Sequence, residues 1–237
     1  MFLRFDERPS DSPFVERVWR CRSERAGSFS SIAESHWEMV VTRRRGETFL
    51  TVRGPETLAT SMNCDADGEW LGIRFRHGAL LPHLPASHLV DQGLNLPDAS
   101  SRSFWLQSAA WEFPTYENAD TFIARLVREC LLVREPVVEA AINGELSDLS
   151  LRTAQRHVLR TTGLTHSAIR QIERARYATL LLRQGVSILG AAHAAGYFDQ
   201  PHLTRALRHY IGRTPAQLKD ERRSGQLSFL YKTQPLP

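Results

Sequence analysis

Hydrophobic and polar residues alternate in the first part of the chain, which predicts β-strands. In WLGIRFR at 70–76 every second residue is apolar, and this period of two is typical of a strand with one buried face. Two more strand-like runs, HWEMVVT at 36–42 and TFLTVR at 48–53, flank a polar RRRGE in hairpin-like spacing. We therefore expect a small β-barrel or sandwich in residues 1–118.

The period becomes helical after this region. DTFIARLVRECLLVR at 120–134 carries apolar residues at helical intervals and is followed by Pro136, which predicts a connecting helix within residues 119–136. Its apolar residues include Phe122, Leu126 and Leu131. They either contact a second copy of the chain or pack on the β-rich domain, and we favour packing because an amphipathic helix usually covers its own domain.

Residues 137–220 contain one small helical unit twice. A shift of 49 residues aligns Ser150 with Asp199 and Gly163 with Gly212. Ser and Asp are preferred at helix N-caps, whereas Gly ends helices by adopting a left-handed conformation. Each unit therefore predicts a capped helix of about three turns. The segment 166–185 between the units predicts a long spacer helix.

A shorter helix is predicted in front of each repeated helix. In SILGAAHAAGYFD at 187–199 a run of small residues ends at Gly196, and together with the following helix this gives a helix-turn-helix arrangement. In the first unit the candidate for the supporting helix is Val137–Leu146. Residues 221–237 are expected to form a C-terminal tail.

Positive charge is concentrated in the helical part. Residues 1–136 have 16 Arg and 19 acidic residues, a net charge of −3, whereas residues 137–237 have 14 basic and 7 acidic residues, a net charge of +7. Between Ser150 and Arg213 there are 10 Arg and 2 acidic residues. The chain prefers Arg to Lys throughout, but this preference does not explain the scarcity of acids. Binding of a polyanion is the interpretation we favour.

Four stretches resemble the DNA-binding module of AraC/XylS-type transcriptional regulators. They are SLRTAQRH at 150–157, RARYA at 174–178, AAHAAGYFDQPHLTR at 191–205 and GRTP at 212–215. The resemblance covers about residues 147–218. It implies two helix-turn-helix units whose second helices enter successive major grooves on one side of the DNA. The chain departs from the family pattern at Pro201 and at Leu207, where the family usually has an aromatic residue.

The resemblance also implies which side chains read DNA. The base-reading positions are Arg152, Gln155 and Arg156 in the first unit and Gln200, His202 and Arg205 in the second. Arg suits bidentate contact with guanine and Gln with adenine. We expect phosphate contacts from Arg160, Arg208 and Arg213. For the base-reading side chains the alternative is an intramolecular salt bridge or contact with phosphates only. For Arg160, Arg208 and Arg213 the alternative is a solvated surface.

The N-terminal region carries a weaker resemblance. WLGIRFRHGALL at 70–81 is similar to the final strand of the cupin-like sensor domain found in some AraC-type regulators. The mouth of such a domain is a natural ligand site. The candidate effector contacts are His36, Trp37, Glu38, Trp70 and Arg74. Aromatic residues on strands are also common core residues, and that alternative stays open.

The composition gives little support to metal chemistry. The three cysteines, Cys21, Cys64 and Cys130, are far apart and cannot supply the clustered thiolates of a zinc site or of a methyl-accepting repair enzyme. No HxH pair occurs. We therefore expect no metal, no cofactor and no catalytic residues. A cupin-like metal enzyme and a nonspecific architectural DNA-binding protein are the alternatives.

Taken together, these patterns predict an α+β protein that is a sequence-specific transcription regulator rather than an enzyme. The expected partners are double-stranded DNA, RNA polymerase and a small-molecule effector. Either a monomer or a homodimer is compatible with two reading units on one chain. The sequence contains no uninterrupted apolar stretch of about 18 residues, so we expect no membrane association and a cytoplasmic location.

Overall fold

The computed structural model of the 237-residue chain describes residues 3–145, 150–220 and Leu227. Its strands are β1 (Leu3–Arg8), β2 (Val15–Ser23), β3 (Gly27–Ser31), β4 (Glu38–Arg44), β5 (Glu47–Arg53), β6 (Thr60–Cys64), β7 (Glu69–Phe75), β8 (Ala79–Leu80), β9 (Gly93–Asn95), β10 (Asp98–Ser100), β11 (Ser103–Leu106), β12 (Ala109–Glu112) and β13 (Val133–Arg134). Its α-helices are α1 (Ala119–Arg128), α2 (Pro136–Ile142), α3 (Leu151–Thr162), α4 (His166–Arg183), α5 (Ile188–Ala194), α6 (Gln200–Tyr210) and α7 (Pro215–Lys219). A short 3-10 helix lies at Ala86–His88. This order, β-rich and then helical, confirms the α+β prediction.

The largest sheet has six antiparallel strands in the order β1-β2-β7-β4-β5-β9. The predicted hairpin is present in it as β4 and β5, which pair Arg44 with Glu47. Arg45 and Gly46 form its turn with positive φ values of 51° and 82°, as a two-residue hairpin turn of type I′ requires. The other strands of the described residues form three small sheets, β10-β11-β12, β13-β8 and β3-β6, and no closed barrel joins them.

Both faces of the central strand β7 are buried, although its sequence predicted one polar face. Leu71, Ile73 and Phe75 pack in the main core, as expected. On the opposite face Trp19 lies so close to Gly72 that a Cβ there would stand 2.0 Å from the indole ring. Arg74, on the same face, is only 5% exposed. The prediction of a half-exposed strand was therefore wrong, because residues from β3, β6 and α4 cover the second face of the sheet.

The helix after the β-rich region is shorter than its sequence pattern indicates. α1 ends at Arg128, and Cys130 has a positive φ of 56°, which breaks the helical path. The chain then extends as β13, which pairs with β8. The apolar residues of α1 belong to the main core, as expected of a helix that packs on its own domain; they are Ala119, Phe122, Ile123 and Leu126, and Leu131 packs against the same core.

The predicted caps of the two repeated helices are present. The Ser150 side chain accepts a hydrogen bond from the Thr153 N–H at the start of α3, and Asp199 accepts one from the His202 N–H at the start of α6. Gly163 follows α3 in the left-handed conformation with φ 76°. α3 has 12 residues and α6 has 11, so both are about three turns long.

The remaining helices complete the helical region. α4 is the predicted spacer helix of 18 residues and is capped by Thr165. α2 lies where the first supporting helix was expected, although Leu146, the end of that prediction, is outside the described residues. The predicted tail at 221–237 also lies outside them, apart from Leu227. Among the helices in the described ranges, none is long and apolar enough to cross a bilayer.

Candidate nucleic-acid interface and effector cavity

The second helix-turn-helix unit is built from α5 and α6. Ala191 and Ala192 are buried, which lets α5 pack closely in the core that also contains Leu203 and Leu207 of α6. The turn between the helices is fixed from α4, where the Arg174 guanidinium donates hydrogen bonds to the carbonyl oxygens of Ala195, at 2.9 Å, and of Gly196. Arg174 therefore has a structural role within the unit.

α3 separates its apolar and polar residues onto two faces. Ala154 and Val158 are buried in a small core formed with α2 and α4. Arg152, Gln155 and Arg156, the base-reading positions implied by the resemblance, are all exposed. The helix thus packs with one face and presents the other to solvent.

α6 has the same division. Gln200 and Arg205 are exposed, whereas His202 is half-buried with its ring edge-on to Tyr197 at 5.1 Å between ring centroids. Pro201 lies in the first turn, where a backbone N–H has no helical partner to lose. Leu207 is fully buried. Both departures from the family pattern are therefore compatible with the helix.

The three expected phosphate contacts differ in their surroundings. Arg208 is exposed, and Arg213 is half-buried with its guanidinium 3.5 Å from the Gly212 carbonyl oxygen. Arg160 forms a 2.5 Å ion pair with Glu135, although its side chain is 66% exposed. Arg160 therefore already has an intramolecular partner, and its phosphate contact stays a prediction.

Two charged residues counted in the basic segment turn inwards. Arg176 and Glu173 of α4 are buried, and Arg176 is only 1% exposed. Arg176 donates a 2.9 Å hydrogen bond to the Ala33 carbonyl oxygen and lies 3.1 Å from a Glu34 carboxylate oxygen. Glu173 accepts a 2.7 Å hydrogen bond from the Ser35 hydroxyl. The spacer helix is thus docked on the β-rich region through buried charged side chains.

Glu34 is the centre of this buried network. Arg74 of β7 lies 2.7 Å from the same carboxylate oxygen that Arg176 approaches. Burial alone would raise the pKa of Glu34, but Arg176, Arg74 and a hydrogen bond from His36 hold it well below its usual value. Glu34 is therefore an ionised carboxylate between two guanidinium groups.

Two histidines complete the network. His36 contacts Glu34 at 2.8 Å through Nδ1 and Glu16 at 3.5 Å through Nε2. Burial lowers the pKa of His36, but the carboxylates outweigh this effect and the pKa is raised. His77 stacks on His36 with ring centroids 3.8 Å apart. Burial and the charge of His36 hold the pKa of His77 well below its usual value.

Glu34, His36 and Glu173 also have the spacing of metal ligands. Each offers a ligand atom, and these atoms lie within 4.8 Å of one another. Two guanidinium groups already neutralise Glu34, and Ser35 donates to Glu173. A divalent cation would meet that positive charge at short range. We therefore assign no metal to this group, and the absence of a metal stays a prediction.

A cavity of about 330 Å³ lies over the second face of the large sheet. It is lined by four of the five candidate effector contacts, His36, Glu38, Trp70 and Arg74. Trp37, the fifth, is on the opposite face of the sheet. Its ring stacks on Phe75 with the ring centroids 3.9 Å apart, and its indole N–H donates a 2.7 Å hydrogen bond to the Ala79 carbonyl oxygen. We therefore leave Trp37 out of the candidate set. Sequence reasoning missed Arg53, Glu56 and Arg176, which also line the cavity.

Comparison with known proteins places the helical region in a family. Residues 145–221 match the family described as "Helix-turn-helix domain". The chain is also 35% identical over 95 residues to the HTH-type transcriptional regulator RipA of Corynebacterium glutamicum, a match that covers 39% of this chain and 28% of that regulator. The chain thus spans less than a third of the length of this curated relative. No solved structure matches the chain. The two sequence matches and the paired, capped helices together confirm the resemblance: residues 145–221 are a helix-turn-helix domain of the AraC type.

Proposed function

We propose that the chain is a sequence-specific DNA-binding transcription regulator whose α3 and α6 read two successive major grooves. The observation that carries this proposal is the matching construction of the two helices. Each is capped at its N-terminus, packs one apolar face and leaves polar side chains of base-reading type exposed. The regulator similar to this chain supports the same function.

The DNA backbone, RNA polymerase and a small-molecule effector are the further partners. Arg208 and Arg213 contact phosphates beside the reading helices. RNA polymerase is a second macromolecular partner, and the chain acts in the cytoplasm. The cavity over the large sheet receives a small-molecule effector, since its lining combines aromatic and aliphatic side chains with polar side chains that can orient a ligand. The protein acts by binding and has no catalytic residues.

Selection of duplexes from a random DNA pool by the full chain tests this function. We expect one enriched motif with two conserved segments about 10 base pairs apart, centre to centre. Retention of duplexes without any enriched motif would favour the nonspecific architectural alternative, and failure to retain any duplex would refute DNA binding. The symmetry of the motif would also distinguish a monomer from a homodimer, because a two-fold symmetric dimer selects a palindrome.

A further inference from the structure

The cavity over the large sheet has an apolar end and a charged end. The apolar end is formed mainly by aromatic and aliphatic side chains of both sheets, namely Phe5, Trp19, Phe29, Val40, Phe49, Met62 and Trp70. The Arg44 guanidinium also lines this end and lies over the Phe49 ring, 5.6 Å from its centroid. The exposed position of Met62 places it at the mouth. A volume of about 330 Å³ lies at the lower end of the range of small-molecule pockets. The cavity therefore suits a small ligand with an apolar body.

The charges at the other end are already paired with one another. Arg53 contacts Glu56 and lies 3.7 Å from Glu38. Glu38 also accepts a 3.1 Å hydrogen bond from the Trp19 indole, and Glu56 accepts one of 2.8 Å from Ser31. A charged ligand would have to separate one of these half-buried pairs and leave an ion without its partner. An uncharged polar group can instead use the remaining lone pairs of the carboxylates.

One lining residue of the charged end, Arg176, comes from the helix-turn-helix domain. Arg176 of α4 lines the cavity and at the same time bonds to Ala33 and Glu34. The Ala33 N–H in turn donates a 2.7 Å hydrogen bond to the carbonyl oxygen of Tyr210, the last residue of α6. A ligand beside Arg176 is therefore next to the segment that holds both the spacer helix and the second reading helix.

We propose that this cavity binds an uncharged amphipathic small molecule, and that Arg176 couples its occupancy to the docking of the helix-turn-helix domain on the β-rich region. The proposal rests on the proposed regulator function and names the effector class and the route of its action. A ligand that contacts residues of both regions stabilises their docked arrangement. Coupling of this kind is reciprocal, so bound DNA must change the affinity for the ligand by the same factor that the ligand changes the affinity for DNA.

The ligand class can be tested by titrating the full chain with N-phenyl-1-naphthylamine, an uncharged aromatic amine whose fluorescence rises in apolar surroundings. We expect saturable binding of one probe, and weaker binding of the anionic 1-anilinonaphthalene-8-sulfonate.

The variant Val40→Phe fills the cavity and should lower the affinity for the uncharged probe by about tenfold or more. Leu94→Phe, at an exposed apolar position outside the cavity, is the matched control and should not. Equal binding of both probes would overturn the uncharged class, and equal affinity of a folded Val40→Phe would overturn the site.

The coupling can be tested without DNA by hydrogen exchange of two amides that join the regions. The Ala33 and Ala59 N–H groups donate to the carbonyl oxygens of Tyr210 and His209. Saturation with the uncharged probe should slow exchange at both, and this slowing should be reduced in Arg176→Met and in the more conservative Arg176→Lys. Unchanged exchange in the wild-type protein, or full slowing in both variants, would overturn the coupling.

A DNA arm separates this proposal from the function on which it rests. A selected duplex should shift the affinity of the wild-type protein for the probe. Failure to bind any duplex would refute the proposed function and leave the probe and exchange results to decide on the site. Binding of duplex with no shift in probe affinity would overturn the coupling alone.

Discussion

The guanidinium group of Arg176 in the middle of α4 donates a 2.9 Å hydrogen bond to the carbonyl oxygen of Ala33, in the segment between β3 and β4. The two residues are 143 positions apart, and both are buried. Arg176 belongs to the basic segment that suggests DNA binding, but its charge is used inside the molecule. This hydrogen bond therefore joins the helix-turn-helix domain to the β-rich region, and the positive charge of Arg176 is not available for DNA.

Replacement of Arg176 by Met should destabilise the folded chain strongly. The substitution keeps an apolar stem but removes one of the two guanidinium groups that neutralise the buried Glu34 carboxylate. Loss of one partner of a buried ion pair costs about 3 kcal/mol or more. We expect a decrease of that size in the free energy of unfolding measured with urea. Arg170→Met, at an exposed position on the same helix, is the control, and an equal effect of the two substitutions would contradict the role assigned to Arg176.

Local signals explain why the helical region was predictable. The caps Ser150 and Asp199 and the left-handed Gly163 act on their immediate neighbours, so their effect can be read from adjacent residues. The burial of Arg176 and the covered face of β7 depend on contacts between distant segments. The helical period places Arg176 on the same face as Ile169 and Ile172, whereas the exposed Arg170 lies off that face. The period does not tell that this face packs against Ala33 and Glu34 of the β-rich region.

The effector candidates illustrate the same limit within one segment. His36, Trp37 and Glu38 are consecutive in sequence, but Trp37 packs in the main core while its two neighbours line the cavity. Alternation along the chain predicts that neighbouring side chains point to opposite faces. It does not tell which face encloses a cavity, because that depends on the second sheet and on α4.

The unfolding free energy should decrease on the alkaline side because of His36. Its pKa in the folded protein is raised above the unfolded value of 6.5, since the carboxylates of Glu16 and Glu34 outweigh the effect of burial. The stabilisation by protonated His36 is therefore complete below pH 6.5 and is lost as the pH rises through the raised pKa. Urea unfolding across this range should show the decrease, and His36→Gln should remove it. A persistent decrease in His36→Gln would assign the effect to other groups.

The unfolding free energy should also decrease on the acidic side because of His77. Its folded pKa lies well below 6.5, through burial and the nearby His36, so the unfolded chain takes up a proton first as the pH falls. This loss begins near pH 6.5, above the range in which protonation of Glu34 adds to it. His77→Gln should therefore flatten the profile just below pH 6.5. An unchanged profile would show that His77 does not titrate in this way.

The fragment from Arg134 to the end of the chain should fold as helix and bind duplex DNA. Both reading helices and α4 lie inside it, and the contacts of Glu135 with Arg160 and Thr161 are kept. It loses Ile32 and Ala33 from its cores, so its unfolding midpoint in urea should be below that of the full chain. Circular dichroism and a duplex-binding titration are the measurements. Binding by the full chain alone would mean that the N-terminal region supplies a dimer contact or the docking that DNA binding needs.

The affinity for duplex DNA should fall steeply as salt rises. Each phosphate neutralised by a basic side chain reduces log K by about 0.9 per decade of salt concentration. Arg174 and Arg176 are used internally, so the slope should stay below the value expected if all 10 Arg between Ser150 and Arg213 contacted phosphates. Fluorescence anisotropy at several salt concentrations gives the slope. An affinity independent of salt would contradict the proposed interface.

Specificity should depend on the exposed polar residues of α3 and α6. Gln155 is exposed, unlike Ala154 and Val158 of the same helix, so Gln155→Ala removes a base contact without opening a cavity. Each lost base contact should weaken binding to the selected site by about 1–3 kcal/mol and flatten the preference at one base step, while binding to random duplex stays nearly unchanged. Arg208→Ala is the matched comparison, because loss of a phosphate contact should weaken selected and random duplexes about equally.

His202→Ala tests the second unit, and its half-buried contact with Tyr197 makes a thermal melt of that variant necessary. If Gln155→Ala and His202→Ala both fold and keep the base preference of the wild-type protein, α3 and α6 do not read sequence and the architectural alternative explains the DNA binding better.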